Sequence, residues 1–297
     1  MGEHVATVTA MPNFLCVGAA KAGTTTLYYL LKQHPEVFLT TPKELNFFSL
    51  DERYRRGWEW YLAHFQAVGP QHKAIGEFGV TYTVVRWTQT IPRMKALLPE
   101  LKIVYMVRDP IARMESQWIE NRLGRNRRRI SFADSVRRPE TIENNRYWNR
   151  YQDYVDAYGA DHVHIIFLER FRDQTATEMK RLFTFLGVDP EFEIPHIHSR
   201  YNQSSDKRED GAALDWGRRI PGFNFVRSLI PVSLRDSMRQ WLKRSAPVEK
   251  PIWNRADYEW VCKQLRADSH RLLRHCGMPD DLWSFQTTHP ITEESAT

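Results

Sequence analysis

The chain has 297 residues, of which 42% are hydrophobic and 26% charged, and its formal net charge is +6. This length suits one large domain or two small ones with a sizeable core, and the composition excludes a disordered or fibrous protein. The modest basic excess fits an anionic ligand, a nucleic acid or an acidic surface. No signal peptide or apolar run of membrane-spanning length is visible, and three cysteines without metal-like spacing indicate reduced thiols. We therefore expect a cytoplasmic protein without a membrane anchor.

The predicted elements alternate between strands and helices over the first two thirds of the chain. Short apolar runs predict strands at residues 14–20, from 37, from 73, at 102–107 and at 162–171. Helical spacing of apolar residues predicts helices at 24–35, 88–100, 111–124, 146–159 and 175–187. Residues 124–145 are predicted as a surface loop with a short helix, and 196–211 as a long polar loop. The chain beyond this loop is predicted to be mostly helical, at 233–244 and 255–277. This alternation favours an α/β fold with a largely parallel sheet.

The first strand and the first helix are joined by GAAKAGTTT, at residues 18–26, which nearly matches the phosphate-loop pattern G-x-x-x-x-G-K-[ST]. Gly18 and Gly23 have the required spacing and Thr25 stands at the Ser/Thr position. Thr24 stands where the lysine belongs, and the lysine is Lys21 instead. Backbone N–H groups at such a turn converge on an anion, and the helix dipole adds to the attraction. The pattern leaves open a broken triphosphate site, a chance match, or a phosphate loop for another ligand.

A second candidate anion site follows the strand at 102–107. A triphosphate enzyme normally has an Asp at this place to hold Mg²⁺. This chain has Arg108, which favours an anionic group directly and without a metal; Asp109 is the alternative, as a metal ligand. Lys21 and Arg108 follow strand ends of one sheet, where open α/β folds bind ligands. We expect a ligand with two anionic groups.

Three segments together resemble the PAPS-dependent sulfotransferases, whose donor is 3′-phosphoadenosine 5′-phosphosulfate (PAPS). KAGTTTL, from residue 21, is similar to the family's 5′-phosphosulfate loop. RDPIARMESQW, from residue 108, is similar to its 3′-phosphate element. TPKELNFFS, from residue 41, resembles an acidic segment of the carbohydrate (heparan-type) and bacterial branches. The resemblance covers roughly residues 12–285. It implies a single domain with a three-layer P-loop-like fold, in which helices flank a central, mostly parallel sheet.

The resemblance also implies the parts of the site. It makes Lys21 a catalytic stabiliser of the bridging oxygen and Glu44 the catalytic base. It implies a donor site formed by Lys21, Ala22, Gly23, Thr24, Thr25, Thr26, Arg108, Ser116, Lys207 and Arg208. Lys43 and Glu77 are candidates for substrate binding, with Glu77 expected to face the acceptor, and Phe78 stands where the family usually has a lysine. The donor core would occupy about 12–190, a donor-closing loop about 196–211 and a helical C-terminal region about 212–285.

The sequence thus predicts transfer of a sulfuryl group from PAPS to a hydroxyl of a carbohydrate, natural-product or lipid-like acceptor, without a required metal. A P-loop kinase-like enzyme is the alternative. The basic segments at 122–129 and 239–244 raise a nucleic-acid binder as a weaker alternative, and we expect no nucleic-acid partner. His34 is expected to cap or pack at a helix end, and Tyr147 either to pack near the donor or to be structural. The oligomeric state is not indicated.

Overall fold

The computed structural model describes residues 11–123, 130–195, 197, 251–287 and 289–292. Its main sheet has five parallel strands: β1 (Phe14–Gly18), β2 (Val37–Leu39), β3 (Ala74–Phe78), β4 (Lys102–Val107) and β5 (Val163–Phe167). Their spatial order is β2-β3-β1-β4-β5, so β1 is central and the chain crosses from one side of it to the other between β3 and β4. A crevice forms outside the carboxyl ends of the strands at such a switch point.

Helices connect the strands and flank the sheet. They are α1 (Thr24–Leu31), α2 (Asp51–Tyr54), α3 (Trp58–Leu62), α4 (Thr90–Leu97), α5 (Pro110–Leu123), α6 (Phe132–Val136), α7 (Pro139–Glu143), α8 (Tyr147–Tyr158), α9 (Leu168–Asp173), α10 (Thr175–Leu186) and α11 (Arg255–His275). Two short strands, β6 (Trp253–Asn254) and β7 (Ile291–Thr292), pair beside α11. None of the helices in these ranges combines the length and the apolar character needed to cross a bilayer.

The core lies on both faces of the central strands. Every residue of β1 and β3 is buried, as is every residue of β4 except Lys102. Strands covered by helices on both faces are nearly continuous in apolar residues, which is why β1 and β4 are recognisable in the sequence. Among the buried residues of these three strands, Glu77 of β3 is the exception, because it carries a carboxyl group.

Two predicted elements differ from the structure. The strand predicted at 162–171 ends at Phe167, and α9 follows at once. Leu168 and Phe171 are both buried and lie three residues apart, a spacing that suits one face of a helix. The single short helix predicted within 124–145 is two helices, α6 and α7, in the described part. The polar loop at 196–211, apart from residue 197, and the helix at 233–244 lie outside the described residues.

Candidate active site

The predicted phosphate loop joins β1 to α1, and its backbone has a positive φ at Gly18, Lys21 and Gly23. Lys21 has a φ of 68°, and Gly23, the N-cap of α1, has a φ of 92°. The left-handed backbone favours glycine at position 23, and a Cβ atom there would lie 2.6 Å from Cδ1 of Leu168, whose side chain would have to move. Gly23 provides no side-chain cap for α1, and the first turn of α1 has no acidic residue. The positive end of the helix dipole therefore faces this loop without a competing carboxylate in the first turn of α1, an arrangement that favours an anion.

Two arginines hold carbonyl oxygens of this loop. Nη1 of Arg108 donates to the carbonyl of Lys21 at 3.2 Å, and Nε of Arg113 donates to the carbonyl of Ala20 at 2.8 Å. Arg113 is buried and also donates to two oxygens of residues 144–145, at 2.7 Å each. Carbonyls engaged in this way are less able to repel an anion at the same loop. Sequence reasoning missed Arg113, whose only signal is its place in the segment that begins with Arg108.

Lys21, in the predicted phosphate loop, contacts α5. Nζ of Lys21 lies 3.2 Å from Oε2 of Glu120, and the two side chains are 20% and 45% exposed. Ser116 is buried, one helical turn before Glu120, so the two residues lie on the same face of α5. Lys21, Arg108 and the Ser116 face of α5 therefore belong to one region beyond the ends of β1 and β4. Of the other predicted loop contacts, the amide of Ala22 donates to Ala19 at 3.2 Å and closes the turn.

The surroundings of Arg108 are charged and partly buried. Burial lowers the pKa of Arg108, and the positive charge of Arg172 lowers it further, whereas Glu169 raises it. Burial raises the pKa of Asp109, whose Oδ1 accepts from the Ala112 amide at 3.1 Å at the start of α5. Asp109 thus caps a helix. Across the described part of the chain, no cluster of three or more His, Cys, Asp or Glu side chains could hold a metal ion.

Lys43 and Glu44 reach the phosphate loop from the segment between β2 and α2. Nζ of Lys43 lies 3.0 Å from Oε1 of Glu44 and 3.4 Å from Oγ1 of Thr24, the first residue of α1. The Glu44 side chain is 37% exposed, so its carboxylate is accessible from the solvent. The structure thus brings the predicted base and the predicted donor loop together through Lys43.

Glu77 lies elsewhere than expected. It is part of β3 and fully buried, whereas the sequence placed it after the strand and facing the acceptor. The Tyr82 hydroxyl donates to its Oε1 at 2.5 Å, and Oε2 has no hydrogen bond of ordinary geometry within the described residues. Burial raises the pKa of Glu77 to about 7, although Tyr82, Tyr61 and the amides of residues 45–46 oppose the rise. Glu77 therefore supports the backbone that follows Glu44.

The remaining candidates divide into structural residues and residues outside the described ranges. Nδ1 of His34 accepts from the Glu36 amide at 3.1 Å, and its ring packs on Phe183, so His34 packs at the helix end. Tyr147 is buried, with its ring centroid 5.7 Å from the Arg113 guanidinium. The two predicted donor contacts Lys207 and Arg208, and residues 124–129 of the basic segment, are not among the described residues.

Comparisons with known proteins give the same family that the sequence motifs resemble. A family model described as a sulfotransferase domain matches residues 11–214. The crystal structure of a sulfotransferase from Alicyclobacillus acidocaldarius is 27% identical, with a TM-score of 0.55, over 66% of this chain and 88% of that one. The membrane-associated sulfotransferase kil1 of Dictyostelium discoideum is 36% identical over 36% of this chain and 22% of its own length. Heparan sulfate glucosamine 3-O-sulfotransferase 5 of Mus musculus is 26% identical over 62% of this chain and 55% of its own.

The chain therefore spans about half or less of the length of these curated relatives. The five-stranded parallel sheet flanked by helices and the likeness to a solved sulfotransferase confirm the predicted P-loop-like α/β fold. Because the family model covers more than half of the residues, the family assignment does not depend on any one relative. The chain belongs to the sulfotransferase family.

Proposed function

We propose that this chain transfers a sulfuryl group from PAPS to an acceptor hydroxyl and releases 3′,5′-ADP. The observation that carries the proposal is one set of contacts to the loop at 18–26, in which Arg108 donates to the Lys21 carbonyl and Lys43 lies between Thr24 and Glu44. This set joins a cation beyond β4, a phosphate loop beyond β1 and a carboxylate. A donor with two anionic groups, together with a base for the acceptor, requires these three parts.

The residues present fit the two anionic ends of the donor. The start of α1, with Lys21 and the hydroxyls of Thr24, Thr25 and Thr26, would hold the 5′-phosphosulfate. Arg108 and Ser116 would hold the 3′-phosphate, since a guanidinium can bind phosphate with two parallel hydrogen bonds. Lys207 and Arg208 stay proposed donor contacts. A sulfuryl group carries less charge than a phosphoryl group, so these residues need no metal ion to balance it.

Two residues would do the chemistry. Glu44 would accept the proton of the acceptor hydroxyl, and its exposed carboxylate is open to that acceptor. Lys21 would stabilise the negative charge that develops on the bridging oxygen, and its salt bridge with Glu120 would loosen as the donor binds. The acceptor class we propose is a carbohydrate, natural-product or lipid-like hydroxyl. The mouse relative named for transfer to heparan sulfate glucosamine supports the carbohydrate choice.

Donor binding separates this proposal from a kinase-like enzyme. A ligand that binds only the native state raises its stability by about 2.7 kcal/mol when present at about 100 times its Kd. We expect 3′,5′-ADP to raise the Tm by several degrees and ATP with Mg²⁺ to leave it nearly unchanged. The reverse result in a thermal-shift assay would favour the kinase-like alternative.

Substitution of the two catalytic candidates is expected to have different effects on turnover and binding. Lys21→Ala and Glu44→Ala should each lower turnover at least about a hundredfold, the scale of a lost charge stabiliser or general base. Lys21→Ala should also weaken 3′,5′-ADP binding, while Glu44→Ala should leave it nearly intact. Turnover is measured as mass-shifted product from PAPS and a panel of hydroxyl acceptors. Glu59→Ala, an exposed carboxylate on α3, is the control. Full activity in Glu44→Ala would remove Glu44 as the base.

A further inference from the structure

Lys43 is a second lysine at the phosphate loop, and it arrives from a different part of the chain than Lys21. Its ammonium lies 3.4 Å from Oγ1 of Thr24, 3.0 Å from Oε1 of Glu44 and 5.7 Å from the centroid of the Phe78 ring. These contacts come from the start of α1, from its own loop and from the end of β3. The ammonium is therefore fixed between the donor loop and the proposed base.

We propose that Lys43 is a catalytic residue that donates a hydrogen bond to a non-bridging sulfuryl oxygen of the donor. This inference rests on the proposed function. A lysine on a plain surface extends its ammonium into water, but the Lys43 side chain is only 18% exposed. An ammonium has three N–H donors, and the described residues engage two of those of Lys43. One donor remains for a ligand at the start of α1.

The charges change during the transfer in a way that strengthens the interaction of Lys43 with the sulfuryl group in the transition state. The acceptor oxygen forms a bond to sulfur, and the bond from sulfur to the 5′-phosphate oxygen breaks with its electron pair leaving on that oxygen. The acceptor proton passes to Glu44, which becomes neutral. Lys43 then loses the negative partner 3.0 Å away, and its charge acts more strongly on the sulfuryl oxygens. An interaction that strengthens in the transition state accelerates the reaction.

Phe78 explains how the cation is held in place. This position, where the family resemblance leads one to expect a lysine, holds a fully buried phenyl ring. The face of an aromatic ring attracts an ammonium, and the ring also excludes water from one side of Lys43. The end of β3 thus carries no cation of its own, and the neighbouring loop supplies one.

The test compares two nucleotides that differ only in the sulfuryl group. We expect Lys43→Met, which keeps the aliphatic stem over Phe78, to weaken PAPS binding about tenfold or more and to leave 3′,5′-ADP binding within about twofold. Turnover should fall by about a hundredfold. Lys43→Arg keeps the charge and should retain most of the preference for PAPS. The matched control is Lys32→Met, because the exposed Lys32 also lies over a ring, that of Tyr28, at 5.8 Å.

Isothermal titration of the native protein and these variants separates the outcomes. If Lys43→Met weakens both nucleotides equally, or keeps the native preference for PAPS, the contact with the sulfuryl group is wrong while the proposed function stands. If the native protein binds neither nucleotide, the proposed function fails and the role of Lys43 fails with it. A selective loss of PAPS binding in Lys43→Met, absent from Lys32→Met, supports the inference.

Discussion

Glu77 is a buried carboxyl group in the sheet, and its titration links the core to the loop that carries the proposed base. Its pKa is raised by burial from 4.5 to about 7, and the Tyr82 hydroxyl donates to it at 2.5 Å. The amides of residues 45–46, directly after Glu44, face the same carboxyl. The state of ionisation of Glu77 therefore affects both the stability of the fold and the support of the proposed base.

Glu77 should make the protein less stable as the pH rises from about 5 to about 8. Because its folded pKa is higher than its unfolded pKa, the folded state binds more protons in this window, and the stabilisation is lost as pH passes about 7. One pKa unit corresponds to about 1.4 kcal/mol, so a rise from 4.5 to about 7 limits the loss to at most about 3.5 kcal/mol. Glu77→Gln should remove this part of the pH dependence, measured as the free energy of unfolding in urea.

The control for this prediction is Glu59→Gln, which changes an exposed carboxylate and should keep the native pH profile. A Glu77→Gln profile parallel to that of the native protein would mean that Glu77 does not titrate in this range.

Among the elements, α1 depends most on a single backbone position. Gly23 combines a left-handed φ of 92° with a Cβ position 2.6 Å from Leu168 of α9. Gly187 is left-handed too, with a φ of 78°, at the C-terminal end of α10, but its nearest contact is Nζ of Lys102 at 3.9 Å. The two glycines share the backbone strain of a substitution and differ in available space.

Gly23→Ala should therefore lower both stability and nucleotide binding more than Gly187→Ala does. Each should lose about 1–2 kcal/mol of unfolding free energy through the left-handed backbone. Gly23→Ala should lose more, because Leu168 must move, and it should also weaken 3′,5′-ADP binding at the start of α1. Urea denaturation and titration calorimetry measure the two effects. Equal stability losses and native nucleotide affinity in both variants would contradict the account of Gly23.

The sequence predicts secondary structure and motifs well where neighbouring residues determine them. β1 and β4 are continuous apolar runs, and the phosphate loop and the Arg108 to Ser116 spacing each lie within a short segment. The sequence does not predict the start of α9, because the residues after Phe167 suit either a strand or a helix. A contact distant in sequence favours the helix: Oε1 of Glu169 accepts from the Asp109 amide at 2.9 Å. The contact of Lys43 with Thr24 was missed because it requires the loop after β2 to fold back on α1.

At the scale of the whole molecule, residues far apart in sequence fix the C-terminal segments on the core. The buried Glu115 of α5 accepts from Nε1 of Trp253 at 2.7 Å and from the hydroxyl of Thr287. These partners are separated from Glu115 by 138 and 172 residues. No local sequence pattern predicts such pairs. They hold α5, which carries Ser116, in a defined position relative to the C-terminal segments.

The three free thiols report on this global structure. Burial raises the pKa of Cys16 to about 12 and that of Cys276 to about 11, and it also raises the pKa of Cys262. Because the thiolate is the reactive form, we expect slow reaction with an aromatic disulfide reagent at about pH 8, with the half-buried Cys276 first. All three should react rapidly in urea, and excess 3′,5′-ADP should slow Cys16 in the native protein. Rapid labelling of native Cys16 would show local opening of β1.

The arginine contacts to the phosphate loop have a kinetic consequence. Arg108 and Arg113 hold the carbonyls of Lys21 and Ala20 through bonds within the protein, so the loop has its shape before an anion arrives. A nucleotide that binds would therefore cost the loop little conformational entropy. A larger part of the interaction free energy of each contact would then contribute to the binding affinity. Association should then follow a single bimolecular phase without a slow rearrangement of the loop. Its rate should depend on salt concentration, because Arg108 and Arg113 carry positive charges beside the loop.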